Sequence, residues 1–325
     1  MKYFTFINFY KFINFTKNLF AFALSRITKK AYIYGKPSFT SFELSSRCNL
    51  RCPQCDVGNL LTDRKNNFLP YNEYCKIMDE IGTTLLDAIF YFQGEPLLNK
   101  NFSNYISYAK QYNIYTITST NGQLIDKKIA KDIVASGLDR IIISIDGTTQ
   151  EVYEKYRRGG SLSKAIEAIK YIKEAKQELN SKTPCIEAQF IVFKFNEHQI
   201  EEFKQLAPTW EANKISIKSA QIHNPNENEE IIPTISRYSR YKKENGIWKI
   251  KKDFTRACLR AWTGVVISAD GNLLPCCFDK QEKHMYGNIN KGSIEDIWKN
   301  NKSIEFRNKL LTDRSSFDIC CNCNE

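Results

Sequence analysis

The chain has 325 residues, 42% of them hydrophobic and 26% charged, which is ordinary for a soluble globular protein. That length suits one large α/β domain with a small appendage. The longest apolar run near the start, Leu19–Leu24, is too short for a membrane span of roughly 20 residues or for a signal-peptide core. Eleven cysteines in a long chain disfavour a secreted disulfide scaffold and favour metal ligands, so we predict a cytoplasmic protein.

The net charge of +11 is unevenly spread, because residues 1–42 contain seven Lys or Arg and no Asp or Glu. Two roles stay open for this basic segment: packing against the main domain, or contact with a membrane surface or an acidic partner. Its aromatic residues are expected to pack rather than to stack on bases, so no nucleic-acid partner is predicted. The apolar spacing in residues 1–36 fits an imperfect amphipathic helix: Phe6, Phe9, Tyr10, Ile13, Phe20, Leu24 and Ile27.

From residue 39 onwards, apolar runs alternate with helical stretches, which predicts a parallel sheet in the form of a partial barrel. Functional residues of such folds lie at the C-terminal ends of the strands. The predicted strands are Phe39–Leu44, Ala88–Phe92, Tyr115–Ser119, Arg140–Ile145, Ile186–Phe193 and Lys214–Ser219. The predicted helices are Tyr71–Ile81, Phe102–Gln111, Asp126–Ser136, Ser161–Leu179 and Glu197–Leu206.

A first cysteine group, Cys48, Cys52 and Cys55, follows the first predicted strand with the spacing CxxxCxxC. Three thiolates can ligate three irons of a [4Fe–4S] cube and leave the fourth iron free to bind a substrate or cofactor. A structural zinc site usually takes four ligands in two separated pairs, so zinc is the less favoured interpretation of this group.

Together with motifs at later strand ends, this group resembles the radical S-adenosylmethionine (SAM) superfamily. Members cleave SAM at the open iron to give a 5′-deoxyadenosyl radical, which abstracts hydrogen from the substrate. Gln54 and Gln93 depart from the family pattern, which has an aromatic residue and a glycine there. The motifs are Gln93-Gly94-Glu95-Pro96, similar to GGEP, Ser119-Thr120-Asn121-Gly122, similar to TNG, and Ser144-Ile145-Asp146-Gly147, similar to SxDG.

The resemblance implies a partial (β/α)6 TIM-like barrel and a set of contacts to SAM. In the family, the Gly-Glu-Pro loop receives the methionine amino group and polar side chains after the third strand bond the ribose. Arg157 or Arg158 would pair with the methionine carboxylate, and we assign Arg157. Val192–Asn196 holds the position that packs on adenine. The implied contacts are Gln54, through its backbone, Gly94, Glu95, Pro96, Ser119, Asn121, Ser144, Asp146 and Arg157.

A second cysteine group occupies residues 258–325. The segment Ile267–Cys276 predicts a β-hairpin with an Asp-Gly turn. The spacing resembles the SPASM and twitch extension of radical SAM enzymes, which implies one auxiliary [4Fe–4S] cluster without an open iron. A zinc ribbon is the alternative, and Cys277 or Cys321 could exchange with a neighbouring ligand. The implied ligands are Cys258, Cys276, Cys320 and Cys323.

The predicted organisation has four parts, listed in chain order: a helical extension (1–36), the core barrel (37–233), an irregular linker or site-covering loop (234–257) and the auxiliary cluster domain (258–325). No catalytic base is assigned, because Cys277 stands where peptide-oxidising relatives carry an Asp. Cys75 and Cys185 are expected in the core. The three histidines, His198, His223 and His284, are not expected to be ligands.

We expect an enzyme that oxidises or modifies a sugar, an alcohol or a peptide, with the auxiliary cluster as electron acceptor. A protein such as flavodoxin or ferredoxin would be its reductant, and residues 1–36 would supply any peripheral membrane contact. The alternative function is a zinc-bearing, non-catalytic binding protein on the same barrel.

Overall fold

The computed structural model describes residues 8–62, 64, 67–251 and 257–323. Within these residues, a nine-stranded sheet has the order β11-β10-β9-β1-β2-β3-β4-β5-β6. Strands β1 to β6 are parallel and adjacent in chain order. This arrangement confirms the α/β partial barrel. The strands are β1 (Phe39–Phe42), β2 (Asp87–Ile89), β3 (Tyr115–Thr120), β4 (Arg140–Ser144), β5 (Cys185–Val192) and β6 (Lys214–Ser219).

Helices follow these strands as predicted, and the helix Tyr71–Ile81 has the predicted bounds. Several begin at side-chain caps: Asp126 accepts a hydrogen bond from the Ile129 N–H (2.7 Å), and Ser161 and Thr149 cap in the same way. The helices are α1 (Phe9–Thr28), α2 (Tyr71–Ile81), α3 (Phe102–Lys110), α4 (Lys127–Ala135), α5 (Gln150–Tyr156), α6 (Leu162–Glu178), α7 (Ile200–Thr209), α8 (Arg260–Thr263), α9 (Ile294–Lys299) and α10 (Asn301–Thr312).

Side chains along the strands alternate between the hydrophobic core and the other face of the sheet. In β5, Ile186, Ala188 and Phe190 are fully buried in the main hydrophobic core. Gln189 and Ile191, one residue out of step, line a cavity on the other face of the sheet. The apolar face therefore fixes which polar side chains turn towards that cavity.

The C-terminal hairpin continues the barrel sheet. Strand β9 (Gly264–Ile267) pairs in parallel with β1, and β10 (Asn272–Leu274) pairs with β9 and with β11 (Gly287–Asn288) in antiparallel fashion. Gly271 has φ +79° in the turn, and a Cβ there would lie 2.7 Å from Ile289 Cγ1. The predicted Asp-Gly hairpin is confirmed. Cys276 follows β10 directly, and β9 of the same hairpin pairs with the first strand of the barrel.

Helix α1 packs on the body of the protein through its polar face, contrary to the usual amphipathic arrangement. Lys11 Nζ donates hydrogen bonds to the backbone oxygens of Tyr112 (3.0 Å) and Asn113 (2.6 Å). Asn14 and Asn18 both donate to the Lys36 backbone oxygen and Ser38 Oγ. The predicted apolar positions mostly face outwards: Phe9, Tyr10, Phe20 and Ile27 are exposed, Ile13 and Leu24 are half-buried, and Phe6 lies outside the described residues.

The prediction that 234–257 is irregular is wrong for part of that segment. Strands β7 (Tyr241–Glu244) and β8 (Ile247–Ile250) form an antiparallel hairpin, and residues 252–256 lie outside the described residues. Tyr241 packs in a hydrophobic cluster with Leu50 and Cys52 of the first cysteine loop. The hairpin therefore lies against that loop.

Cys75 in α2 and Cys185 in β5 are half-buried, and Cys75 packs against the main hydrophobic core. In the part of the chain that the structure describes, no helix is both long and apolar enough to cross a membrane.

Candidate functional site

A cavity of about 210 Å³ opens at the C-terminal ends of the barrel strands. It brings together the first cysteine group and most of the polar residues predicted from strand-end motifs. Its lining includes Cys48, Cys52, Cys55, Gly94, Glu95, Ser119, Asn121, Ser144 and Arg157, with Tyr91, Tyr156, Gln189 and Ile191.

The three thiols of the first group share one loop. Cys52 is buried, whereas Cys48 and Cys55 are half-buried. The Cys55 N–H donates to the Cys52 backbone oxygen (3.1 Å), and the Leu50 N–H donates to Cys48 Sγ (3.4 Å). Burial raises the pKa of Cys48 to about 12 and also raises the pKa of Cys52. Both thiols therefore keep their protons until a metal replaces them.

The Gly-Glu-Pro motif fixes the cysteine loop to the sheet. A Cβ on Gly94 would lie 2.0 Å from the Ser45 backbone oxygen, so only glycine fits there. The Glu95 N–H donates to the Arg47 backbone oxygen (2.6 Å). Pro96 starts a buried 3₁₀ turn and is not among the cavity-lining residues. This close backbone approach sets the distance between the thiols and the strand ends.

Glu95 is buried, and its carboxylate accepts three hydrogen bonds. The donors are Thr120 Oγ1 (2.6 Å), the Asn121 N–H (2.9 Å) and the Leu97 N–H (3.2 Å). Burial raises the pKa of Glu95, and these donors oppose that rise. Thr120 was not singled out from the sequence, although it lies within the predicted motif.

Asn121 connects the third strand end to the cysteine loop, because its Nδ2 donates to Asn49 Oδ1 (2.8 Å). Ser119 and Ser144 end neighbouring strands and both line the cavity. The predicted polar set of β3 and β4 therefore converges on one side of the thiols, as parallel strand ends require.

Arg157 and Asp146 form a buried ion pair beside the thiols. Arg157 Nε donates to Asp146 Oδ2 (2.6 Å), and Arg157 Nη1 lies 3.9 Å from Cys52 Sγ. Asp146 also accepts from the Ile191 N–H (2.6 Å) and does not line the cavity. Asp146 therefore holds Arg157 in place, whereas Arg158 is exposed.

The Gln54 side chain points to another partner. Its Oε1 accepts a hydrogen bond from the His223 N–H (2.7 Å), and it is not among the cavity-lining residues. Only the Gln54 backbone stays available for the contact that the family resemblance implies.

The cavity-lining residues Tyr91, Gln189 and Ile191 were not predicted from the sequence. The alternation of side chains along the strands, taken together with Ser119 and Ser144, could have indicated them.

The second cysteine group surrounds a smaller cavity of about 20 Å³. Its lining includes all four predicted ligands, Cys258, Cys276, Cys320 and Cys323. Burial raises the pKa values of the Cys276 and Cys320 thiols. The neighbouring Cys277 and Cys321 are not among the lining residues, and Cys321 is exposed.

Arg314 adds a positive charge to this second cavity. Its Nη2 donates to Cys323 Sγ (3.4 Å), and its side chain is buried. Nothing in the cysteine spacing predicts this contact. The other lining residues are mostly apolar and include Ala261, Phe278, Phe306, Leu310 and Ile319.

The four thiols fit an iron–sulfur cluster by donor type and position. No three Cys, His, Asp or Glu side chains of the described residues converge closely enough to hold a single metal ion. A four-iron cluster does not require such convergence, because each thiolate binds a different iron. The same holds for the three thiols of the first cavity.

Hydrogen bonds connect the two cysteine loops through Ile222 and His223. Asn322, inside the C-terminal CxxC, donates from Nδ2 to the Ile222 backbone oxygen (2.9 Å). Asn322 Oδ1 also accepts a hydrogen bond from the Tyr241 hydroxyl (2.7 Å). His223, which follows Ile222 in the chain, donates its backbone N–H to Gln54. A third cavity of about 220 Å³, lined by Asp56, His223, Asp279 and Asn322 among others, adjoins this connection.

Comparison with known proteins identifies the class. The family model of the Radical SAM superfamily matches residues 42–207, and an iron–sulfur cluster-binding domain, SPASM, matches residues 258–324. The chain belongs to the radical SAM superfamily. Membership implies SAM and a [4Fe–4S] cluster, and the SPASM domain implies auxiliary iron–sulfur binding. The two thiol-lined cavities hold the cysteines for both.

Two curated relatives are similar over most of the chain. The PqqA peptide cyclase of Granulibacter bethesdensis is 24% identical over 277 residues, covering 79% of this chain and 72% of the relative. The tungsten-containing aldehyde ferredoxin oxidoreductase cofactor-modifying protein of Pyrococcus furiosus is 24% identical over 315 residues, covering 87% and 86%.

Solved structures share the fold. SuiB of Streptococcus suis, bound to SAM, aligns with TM-score 0.66 at 16% identity, covering 93% of this chain and 75% of SuiB. BtrN in complex with AdoMet and 2-DOIA aligns with TM-score 0.55 at 20% identity, covering 89% and 93%. At these identities the likeness supports the fold alone.

Proposed function

We propose that this radical SAM enzyme abstracts hydrogen from a carbon of a peptide, sugar or alcohol and passes an electron to an auxiliary [4Fe–4S] cluster. The observation that carries this proposal is the contrast between two thiol-lined cavities, one larger and lined in part by polar strand-end residues, the other smaller and lined mainly by apolar residues. When bound, the first cluster and SAM supply the electron and the radical that starts the reaction.

In the wide cavity, we assign Cys48, Cys52 and Cys55 as ligands of the first cluster. Three thiols leave one position of a four-iron cluster for SAM. The fixed Gly94-Glu95 backbone offers acceptors for a cationic amino group, and Asn121 is held ready for ribose hydroxyls by Glu95 and Asn49.

Arg157 supplies a fixed positive charge for the methionine carboxylate. Its pairing with buried Asp146 keeps the guanidinium in one orientation, and charge-assisted bonds to carboxylates are among the stronger hydrogen bonds. Ser119 and Ser144 add hydroxyl donors along the same wall. Gln54 contributes through its backbone.

In the smaller cavity, we assign Cys258, Cys276, Cys320 and Cys323 as ligands of the auxiliary cluster. Four thiolates complete the coordination of four irons, so substrate has no vacant iron to bind there. Exchange of electrons is the remaining chemistry, and the apolar lining limits solvent access.

The substrate class is proposed from relatives. PqqA peptide cyclase is named for a peptide, and SuiB has been solved bound to precursor peptide SuiA. The BtrN complex with 2-DOIA keeps small molecules as the second class. Peptides are therefore the first substrates to test, and sugars and alcohols the second.

We also propose a reductant such as flavodoxin or ferredoxin, and a cytoplasmic location. Eleven free cysteines suit a reducing compartment. The domain bounds 1–36, 37–233, 234–257 and 258–325 stay proposals.

The electron-acceptor role is tested with Cys320→Ala and its matched control Cys321→Ala. Cys320 lines the smaller cavity, and the next residue, Cys321, is exposed. Cys320→Ala should still form 5′-deoxyadenosine but no oxidised product, whereas Cys321→Ala should form both. Full turnover by Cys320→Ala would contradict the role.

The substrate class is tested by incubation with deuterated peptides, sugars and alcohols. Mass spectrometry of 5′-deoxyadenosine should show deuterium for the correct class only. Absence of transfer from every class, with SAM cleavage intact, would contradict the proposed substrates and leave the cofactor assignment standing.

A further inference from the structure

Helix α1 turns a largely apolar stripe to the outside. One helix face holds residues that recur at spacings of three and four, with Thr16 as the polar member: Phe9, Phe12, Ile13, Thr16, Phe20, Ala23 and Ile27. Phe9 is 72% exposed, Phe20 62% and Ile27 80%. Tyr34, also exposed, stacks on Phe20 with ring centroids 6.0 Å apart and widens the stripe.

The opposite face already has its partners, so the stripe is not left outside by poor packing. Lys11, Asn14 and Asn18 are buried and hydrogen-bonded to backbone oxygens of the body. Phe22 contacts Trp262, with ring centroids 5.3 Å apart. Burial lowers the pKa of Lys11 to about 8, because its charged form is partly removed from water. The helix is therefore docked in an orientation that presents its aromatic residues to an external partner.

Cations border the stripe on both sides. Lys17 and Arg26 are exposed on opposite flanks of the helix, and Lys29 and Lys30 follow its last turn. None of these four forms an ion pair with a residue that the structure describes. Because residues 1–42 contain no Asp or Glu, nothing in this segment offsets the charge.

We propose that the outward face of α1 binds an anionic lipid membrane surface, with the helix lying in the plane of the interface. Apolar and aromatic side chains would enter the headgroup boundary, and the flanking cations would meet lipid phosphates. Long Lys and Arg side chains can reach the headgroups while their stems stay apolar. Either signal alone binds weakly, and this helix combines both.

This partner is favoured over a second copy of the chain because the charges are of one sign along the whole face. An interface between two copies would set these cations against each other, which is unfavourable. The proposal is independent of the proposed chemistry, since α1 contributes nothing to either thiol-lined cavity.

The experiment uses the full, anaerobically prepared chain and flotation with phosphatidylcholine vesicles, with and without phosphatidylserine. Point variants are preferable to deletion, because α1 covers Trp262 and Ser38. The apolar variant is Phe12→Ser, Phe20→Ser and Ile27→Ser together, and its control is Leu179→Ser with Ile247→Ser, exposed apolar residues elsewhere. The charge variant is Lys17→Gln, Arg26→Gln and Lys29→Gln, and its control is Lys128→Gln with Lys302→Gln.

Wild-type protein and both controls should bind phosphatidylserine vesicles, and less so at high salt. Each helix variant should bind roughly tenfold more weakly or worse, with SAM cleavage unchanged. Equal vesicle binding by wild type and helix variants would overturn the proposal. A helix variant that changes the oligomeric state in size-exclusion chromatography, without any wild-type vesicle binding, would overturn it in favour of a protein interface.

Discussion

The two thiol-lined cavities differ in size, polarity and the number of cysteines they contain. The first has three cysteines in a cavity of about 210 Å³, and the second has four around about 20 Å³. The first is walled by polar strand ends such as Asn121 and Ser144, the second mainly by apolar side chains. An incomplete ligand set beside a larger space suits chemistry on a bound molecule, whereas a complete set in apolar surroundings suits electron exchange.

In each cavity an arginine contacts a thiol, but in a different setting. Arg157 is fixed by the buried carboxylate of Asp146 and faces open space. Arg314 contacts Cys323 in the smaller cavity, which Arg260 also lines. The same side chain can therefore serve as a recognition group in the first cavity and as a modifier of cluster charge in the second.

The largest expected effect separates the two cavities outright. Cys52→Ala should abolish 5′-deoxyadenosine formation, because two thiols cannot hold the first cluster. Iron should fall from about eight to about four per chain, since the auxiliary site stays intact. Cys75→Ala, half-buried in α2, is the matched control and should keep both. Chromatography of the nucleoside and iron analysis measure the outcome.

Gly94→Ala should damage only the first cavity. Its Cβ would overlap the Ser45 backbone oxygen at 2.0 Å and shift the cysteine loop. A displacement of about 1 Å can cost roughly 10²-fold in rate, so SAM cleavage should fall by that order. Gly292→Ala, which meets nothing within 4 Å, should be silent. Unchanged cleavage by Gly94→Ala would argue against this loop as the SAM site.

Arg314→Gln should affect only the second cavity. Loss of the positive charge beside Cys323 should lower the reduction potential of the auxiliary cluster, on the order of tens of millivolts. SAM affinity should stay at the wild-type value. Exposed Arg158 gives the control variant Arg158→Gln. A redox titration followed by electron paramagnetic resonance measures the shift, and a potential equal to wild type would remove Arg314 from this role.

The smallest expected effect concerns the connection between the cavities. Asn322→Ala removes the hydrogen bonds to Ile222 and Tyr241, and should lower the free energy of unfolding by about 1–3 kcal/mol. Tyr241→Phe removes the hydrogen bond to Asn322 and also the hydroxyl that accepts from the buried Ile222 N–H (2.9 Å), so it should cost a similar amount. Denaturant unfolding under anaerobic conditions measures both. Equal stability of wild type and Asn322→Ala would mean that the loops are held together by other contacts.

Much of the barrel was predictable, because the periodicity of apolar residues and the spacing of motifs are local properties of the sequence. Helix Tyr71–Ile81 and the six parallel strands were expected from apolar pattern alone. The hairpin of β7 and β8 was missed, although Asn245-Gly246 between alternating residues is a strong turn signal and both adopt positive φ.

Other features depend on contacts between distant parts of the chain, which spacing cannot reveal. The pattern of α1 shows that one face is apolar, but not that the face with Lys11 and Asn14 is the buried one. The pairing of β9 with β1 and the contact of Arg314 with Cys323 are also long-range. The strand-end motifs contain most of the polar residues that line the cavity, whereas only the structure shows that Asp146 positions Arg157 and that Glu95 binds Thr120.

The central claim is that the first cavity holds an iron–sulfur cluster with a vacant position for SAM. The most direct measurement is anaerobic reconstitution of the full chain, followed by metal analysis and addition of SAM with dithionite. We expect about eight irons per chain and formation of 5′-deoxyadenosine. Zinc in place of iron, with SAM left intact, would contradict the account.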